Sequence, residues 1–381
     1  MLKREDQRSA NPQRELLNMQ ILKNVTEDLA PANPLDPSRI AFGKTFSPHF
    51  FVADYRDGGW TGARIAPLEP FSLHPGALVL HYAQEIFEGL KAFAQPDGGV
   101  ALFRPEMNAR RFQASAERMA MPKVDESLFL DAVLSLAETD RAWVPEYPGS
   151  LYIRPAMIAT QPYIGVSSST EYKFFVITLP AGKYFANLDS GPGAVDVLVA
   201  ESLVRAWPRG TGNVKTAANY AITLQITAKA TAAGLSQVLF LDASREHRVE
   251  ELGGMNVMFV EDGGLVTPPL SGTILPGITR DSVITLAQEA GIAVREYAYT
   301  LDELTSGVKS GHITEAIACG TAAVVTGIRT LCFENGAKLQ VGRTTAPGPI
   351  TRTLFERLQG IQYGRQPDKF AWLRRDGGVR A

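Results

Sequence analysis

At 381 residues the chain exceeds the usual size of a single domain, so two domains of roughly 150 to 200 residues are expected. Hydrophobic residues make up 45% and charged residues 20%, which argues against a disordered or fibrous chain. Lys plus Arg number 38 against 40 Asp plus Glu, a formal net charge of -2, so neither a bulk nucleic-acid binder nor a polyanion mimic is indicated, and partners are expected to be small molecules or copies of the chain itself.

In chain order, residues 1–40 have patchy periodicity and end in LAPANPLDPS, where Pro31, Pro34 and Pro37 interrupt any regular element, so an N-terminal extension or arm is expected. Its opening MLKREDQRSANPQRELL carries both signs of charge and no apolar run of signal-peptide type, and Glu5 and Asp6 speak against a mitochondrial presequence. HYAQEIFEGLKAFAQPDGGVALF then reads as a hairpin, two strand-like runs around Pro96, Asp97, Gly98 and Gly99. MNARRFQASAERMAM at 107–121 and ESLFLDAVLSLAETDRAWV at 126–144 have helical spacing, and LYIRPAMIAT and YKFFVITLP return to strand character. Residues 41–180 are therefore expected to form a small α+β domain. AGKYFANLDSGPGAV at 181–195 contains Gly and Pro breakers and marks an interdomain loop before a larger domain over 196–381. That second part runs through the strand VDVLVA, the turn PRGTGN, a long helix NYAITLQITAKATAAGL, the strands SQVLFLD and MNVMFV, the helix GITRDSVITLAQEAG, the strand IAVREYAY, a short helix LDELTSG and the strand-like TAAVVTGI. No apolar stretch, such as VLFL at 238–241 or NVMFV at 256–260, approaches the roughly 20 residues needed to span a membrane. The only cysteines, Cys319 and Cys332, are too few for a disulfide framework, and a reducing, cytoplasmic setting is expected.

The common metal and nucleotide signatures are missing. His49, His74, His81, His247 and His312 are scattered with no HExxH among them, no GxxxxGK[ST] occurs, and GLSQV supplies no nucleophile elbow, so no metal site is expected. What remains is a lysine at a turn and several candidate anion-binding loops. In GTGNVKTAANYAITLQ, Lys215 follows a flexible turn and precedes a helix, with Tyr220 five residues on. An amine held inside a pocket can form an imine with an aldehyde and carry protons, although a lysine taken alone is usually a solvated surface group. LPGITRDS turns through Gly277 into a helix whose free N–H groups, with Thr279, would form an anion cup, and ACGTAAVV offers a second small-residue turn at Thr321. Helix capping and close strand packing are the plainer readings of those two segments. Glu251 in ELGGMN could pair with a protonated pyridine nitrogen or could be an ordinary turn acid. Arg111 lies in the helical MNARRFQ, and Arg154 sits among apolar residues in LYIRP, where an arginine must snorkel or find an anion.

Taken together and in order, HYAQEIFEGLKAF, LFRPEMNARRF, LYIRP, GNVKTAANY, ELGGMN, PPLSGTILPGITR and GTAAVV cover nearly all residues from about 40 to 365, and on them the sequence resembles the branched-chain amino-acid aminotransferases. The length of the N-terminal region and the LYIRP segment are similar to the longer mammalian-like and actinobacterial-like subgroup. The resemblance implies the D-amino-acid-aminotransferase-like fold (fold type IV), two domains with pyridoxal 5'-phosphate at their interface, and a homodimer in which the neighbouring subunit completes each pocket. It implies that Lys215 carries the cofactor, that Glu251 meets the pyridine nitrogen and Tyr220 the ring oxygen, and that Arg111 holds the phosphate with Ile278, Thr279 and Thr321. It places Phe42, Tyr82, Phe87, Tyr152, Arg154 and Ala322 around the substrate, with Phe42, Tyr82 and Phe87 as an apolar wall. Tyr152 and Arg154 would offer a polar route to the glutamate γ-carboxylate, and the Thr321 to Ala322 amides would meet the α-carboxylate.

The implied reaction is ping-pong transfer of an amino group between L-leucine, L-isoleucine or L-valine and 2-oxoglutarate, giving the branched 2-oxo acids and L-glutamate. One departure stands out: where mammalian members carry a CxxC redox pair, this sequence has Ala323 and Thr326, so thiol regulation of that type is not expected. The alternatives are a D-amino-acid aminotransferase or aminodeoxychorismate lyase on the same fold, and a noncatalytic binding protein in which Lys215 is a surface group.

Overall fold

Runs rich in Phe, Val, Ile and Tyr favour extended backbone because branched and aromatic side chains pack well on a pleated surface. Such runs build two nine-stranded sheets. The computed structural model describes residues 21–25, 29–33, 35–182, 184, 192–342 and 347–375. The first sheet contains β1 (Leu22–Lys23), β2 (His49–Arg56), β3 (Gly59–Pro67), β4 (Glu85–Phe87), β5 (Leu90–Ala94), β6 (Val100–Phe103), β7 (Ser150–Ala159) and β8 (Tyr172–Ala181). The order across it is β1-β3-β2-β8-β7-β5-β6, with β4 also on β7. Its spine is the antiparallel pair β7–β8, in register from Ser150 opposite Ala181 to Ala159 opposite Tyr172.

The second sheet uses β9 (Ala194–Ala200), β10 (Gln237–Leu241), β11 (Val249–Leu252), β12 (Asn256–Glu261), β13 (Gly264–Thr267), β14 (Val294–Glu296), β15 (Ile313–Gly320), β16 (Val324–Phe333) and β17 (Lys338–Gln340). It runs β11-β10-β9-β16-β15-β12-β13-β14, and β11 pairs β12 as well, so six strands close into a ring at the single bridge Glu251 to Asn256. A final strand, β18 (Leu373–Arg374), returns to pair with β6, so the C-terminal end of the 196–381 segment joins the first sheet.

Helices cover the sheets where their apolar stripes fit. A five-residue helix, α1 (Leu78–Tyr82), precedes β4, and α2 (Pro105–Arg118) and α3 (Glu126–Thr139) pack on the first sheet. There Phe112 and Phe129 meet Phe174 of β8 with ring centroids 5.5 Å and 6.1 Å away. Phe129 is fully buried, and its truncation to alanine would cost about 3–5 kcal/mol. In the second half come α4 (Ala218–Ala221), α5 (Leu224–Ala232), α6 (Ile278–Glu289), α7 (Leu301–Ser310) and α8 (Pro349–Gln362). α7 is fixed at its start by the reciprocal Thr300–Glu303 capping box and stops at Gly311, whose φ of 84° is left-handed. Phe93 and Phe103 of the first sheet share one apolar cluster with Met258, Val283 and Leu354 of the second half, and this cluster joins the two halves behind the site.

Several elements differ from expectation. The helix expected over NYAITLQITAKATAAGL is two pieces, because Thr223 closes a tight turn on the Tyr220 carbonyl with both its N–H (3.1 Å) and its hydroxyl (2.8 Å). The strand expected in IAVREYAY is only Val294–Glu296. β15 and α8 carry no forecast of their own. In the expected 181–195 connection, residues 183 and 185–191 lie outside the described residues, as do 1–20, 26–28 and 34 of the expected arm. Among the described residues no helix is long and apolar enough to cross a membrane.

Candidate active site

Residues from both halves line one cavity of about 380 Å³, within the usual range for small-molecule sites. Lys215 enters it from the loop between β9 and α4. Asn219 holds that loop: its amide donates to the carbonyls of Thr211 (2.7 Å) and Val214 (2.8 Å) and accepts from the Thr211 hydroxyl (2.8 Å). The Lys215 backbone is tied to the first half, its N–H donating to Ser115 Oγ (3.0 Å) and its carbonyl accepting from the Phe87 N–H (3.0 Å). Lys215 Nζ donates to the Tyr220 hydroxyl at 2.7 Å and lies 4.8 Å from the Phe87 ring centroid. Tyr220 in turn packs on Phe87 at 5.0 Å. The short helix α4 thus turns a five-residue spacing into a direct amine–phenol contact.

One end of the cavity carries a buried acid. Glu251 stands at the closing bridge of the second sheet, where Asn256 Nδ2 donates to its Oε2 (2.9 Å), the Leu275 N–H to its Oε1 (3.3 Å), and Arg205 pairs with Oε1 at 2.5 Å. Burial pushes the Glu251 carboxyl up to about 7, against the opposing pull of Arg205 and the Leu275 amide. Even with Arg205 beside it the acid stays raised, and a second cation placed against it would favour the anion further.

The other end is cationic. α6 begins at Gly277 in extended backbone, which leaves its first N–H groups without intrahelical partners beside the cavity-lining Ile278 and Thr279. A side chain at Gly277 would collide with Asn256 Oδ1. Arg111 of α2 reaches across to donate to the Pro276 carbonyl (3.0 Å), and Glu88 holds it in a two-pronged pair, Nε to Oε1 at 2.7 Å and Nη2 to Oε2 at 2.8 Å. Burial alone would raise the fully buried Glu88 carboxyl, but Arg111, Lys215 and the Asn108 amide bring it below its ordinary value. Thr321 and Ala322 lie on the turn between β15 and β16, which Val324 leaves with a φ of 60°, an uncommon conformation for a β-branched residue. Lys91 of β5 donates to the Ala322 carbonyl at 3.0 Å, tying this turn to the first half, and burial pushes its amine down to about 8.

The remaining wall is aromatic. Phe42 meets Tyr152 edge-on at 5.0 Å and Tyr184 at 5.4 Å. A side chain at Gly89 would strike the Tyr152 ring, so this close approach requires glycine. Arg154 donates to the Tyr152 hydroxyl (3.1 Å) and stacks 4.6 Å over Phe87, while its buried Nε has no hydrogen-bond partner.

Of the residues singled out in the sequence, Phe42, Phe87, Arg111, Tyr152, Arg154, Lys215, Tyr220, Glu251, Ile278, Thr279, Thr321 and Ala322 all line this cavity. Tyr82 does not: it ends α1, 40% exposed, with its hydroxyl donating to the Ile164 carbonyl. Sequence reasoning missed Glu88, Lys91, Tyr184, Arg205, Asn219 and Asn256. A charge inside an apolar run, the argument that marks Arg154, also marks Glu88 and Lys91 in IFEGLKAF; Tyr184, Arg205 and Asn219 carry no such signal. Among the described residues no group of three or more His, Cys, Asp or Glu side chains could hold a metal ion.

Pyridoxal 5'-phosphate fits this donor set: an amine beside a phenol in the middle, a buried carboxylate at one end, and an arginine with a helix start at the other. Residues 85–331 match the family model for amino-transferase class IV. The chain is 45% identical over 342 residues to the branched-chain-amino-acid aminotransferase of Mycolicibacterium smegmatis, covering 88% of this chain and 91% of that protein. In three dimensions it is similar to the branched-chain amino acid aminotransferase from Escherichia coli, with a TM-score of 0.69 at 27% identity over 86% of this chain and 99% of that one. It is also similar to the branched-chain amino acid aminotransferase from Thermobaculum terrenum in its PLP form (holo-form), with a TM-score of 0.67 at 26% identity over 85% and 97% of the two chains.

Proposed function

The chain belongs to the branched-chain amino-acid aminotransferases of amino-transferase class IV, and from that premise we propose how its residues divide the transfer of an amino group between L-leucine, L-isoleucine or L-valine and 2-oxoglutarate. The observation that carries the assignment is the Lys215 Nζ to Tyr220 hydroxyl contact of 2.7 Å, set between an acidic and a cationic end of one cavity. Bound there, pyridoxal 5'-phosphate supplies an aldehyde to take up the amino group and a ring that draws electron density from the substrate Cα.

The chain's own groups do the rest. Lys215 Nζ would anchor the cofactor and, as a free amine beside the substrate, would take the proton from its Cα. Tyr220 fixes the position of Nζ through their hydrogen bond and turns its phenol toward the ring oxygen. Glu251, kept in place by Arg205 and Asn256, holds a proton at the ring nitrogen. Arg111, aimed by Glu88, takes the phosphate together with Thr321, Thr279 and the amides that open α6. Phe42, Phe87 and Tyr152 receive the branched side chain, and the Thr321 and Ala322 amides receive the α-carboxylate.

The same pocket must take L-glutamate in the second half of the cycle. Arg154 meets its distal carboxylate, a role supported by the buried and unpartnered Nε. Tyr82 serves the pocket of a second subunit in a homodimer, a role supported by its exposure outside the cavity of its own chain.

The test is product analysis with purified holoenzyme. L-leucine with 2-oxoglutarate should yield 4-methyl-2-oxopentanoate and L-glutamate in equal amounts, and K215A should yield neither. Turnover of D-alanine or aminodeoxychorismate without turnover of L-leucine would overturn the assignment.

A further inference from the structure

The three-residue strand β4 carries a charge with no role so far. β4 lies between β7 and the lysine-bearing loop: Glu85 pairs in register with Ile158, Phe87 with Ala156, and on its other side Ile86 bridges Thr216 while the Thr216 hydroxyl donates to the Glu85 carbonyl at 2.8 Å. Side chains alternate along a strand, and directly opposed residues share a face, so Glu85 and Phe87 stand on the same face as Tyr152 and Arg154 of β7. That face borders the cavity, because Phe87, Tyr152 and Arg154 line it. The Phe87 ring is bracketed there by two cations, Arg154 Cζ at 4.6 Å and Lys215 Nζ at 4.8 Å.

Glu85 is half-buried and is not itself a cavity-lining residue. Burial raises its carboxyl, and the one opposing charge it feels is that of Arg154. The two form no contact ion pair, so Glu85 occupies none of the guanidinium's donors while lowering the positive potential around it. A substrate with a distal carboxylate feels that reduction, and a substrate with an isobutyl group does not.

We infer that Glu85 is a specificity-determining residue, acting through Arg154, that weakens the dicarboxylate half-reaction relative to the branched-chain one. The inference rests on the reading of Arg154 as the group that meets the distal carboxylate of glutamate. It gives one pocket a means of balancing two substrates of unlike charge, because the penalty falls only on the substrate that uses Arg154.

The experiment compares single-turnover half-reactions of the holoenzyme with L-glutamate and with L-leucine, followed by cofactor absorbance near pH 8, where an ordinary carboxylate is ionised. The neutral variants E85Q and E85S should raise the ratio of half-reaction specificity constants (limiting rate over apparent Kd) for glutamate over leucine about three- to tenfold, mainly through the apparent Kd, while the charge-retaining E85D should leave the ratio near that of the parent. Thermal melts of the same preparations establish that the variants fold. If R154M lowers glutamate relative to leucine but the neutral Glu85 variants leave the ratio unchanged or lower it, the inference is overturned and the role of Arg154 stands. If R154M does not change the ratio, the role of Arg154 fails and the inference fails with it.

Discussion

Replacing Glu88 with glutamine (E88Q) tests how the cationic end of the site is built. The Glu88 carboxylate is completely buried and accepts from four donors, Arg111 Nε (2.7 Å) and Nη2 (2.8 Å), Asn108 Nδ2 (2.7 Å) and the Gly89 N–H (3.1 Å). Glutamine keeps the shape but removes the charge and turns one acceptor into a donor pointed at other donors. Breaking a buried ion pair by removing one partner typically costs about 3–5 kcal/mol. Asn108 can turn its amide and recover part of that, so a loss near the lower end, about 3 kcal/mol, is expected. Urea unfolding of the apoprotein reads this loss, and titration with pyridoxal 5'-phosphate reads a weaker apparent affinity, since Arg111 loses the charge of its partner and one prong of the pair, keeping at most one bond to the substituted amide oxygen besides that to the Pro276 carbonyl. Glu88 sits below its ordinary value in the fold, so its contribution is present above that ordinary value and is lost as pH falls through the depressed one; E88Q should lack that acid-side loss. A stability change under about 1 kcal/mol with unaltered cofactor affinity would mean that the pair contributes no more than an exposed one, contrary to this expectation.

Three further outcomes follow from the geometry. N219A removes three hydrogen bonds that hold the loop before Lys215, and it should destabilise the protein by about 1–3 kcal/mol and lower kcat, read by unfolding and by steady-state assay. In the apoprotein the Glu251 carboxyl is raised from 4.5 to about 7, so its contribution to stability is complete below 4.5 and is lost as pH rises through 7. That loss is on the order of 3 kcal/mol, and E251Q should flatten the fall in urea midpoint between about pH 5 and 8; equal slopes in the two proteins would exclude it. Cys319 is buried with its thiol pushed up to about 12, and Cys332 is buried and raised, so native protein should resist alkylation and keep its activity under mild oxidant, as mass spectrometry and assay would record.

Much of the site is legible in the sequence because its parts are local. Lys215 with Tyr220, Gly277 with Ile278 and Thr279, and Thr321 with Ala322 each sit within a few residues of a turn, and turns announce themselves through glycine, small residues and breaks in periodicity. The hairpin β5–β6 and the helices α2 and α3 are legible for the same reason. The supports are harder to see. Glu88 becomes Arg111's clamp only when α2 folds back beside β4, and Arg205 meets Glu251 only when the loop after β9 comes against β11, separations of 23 and 46 residues that no local pattern encodes. Thr223 splits a helix that composition alone extends through it, because its hydroxyl competes for the Tyr220 carbonyl. The return of β18 to the first sheet joins the chain's C-terminal end to residues near 103, and two residues carry too little periodicity to forecast that pairing.

Everything assigned to this pocket depends on its carrying out the first half of transamination on a branched-chain amino acid. The absorbance spectrum of the purified holoenzyme, followed as L-leucine is titrated in with no amino acceptor present, reads that step itself. The bound pyridoxal-type band should convert stepwise into a pyridoxamine-type band, with release of one 2-oxo acid per site and reversal on adding 2-oxoglutarate. A cofactor band that stays unchanged through saturating L-leucine would contradict the assignment.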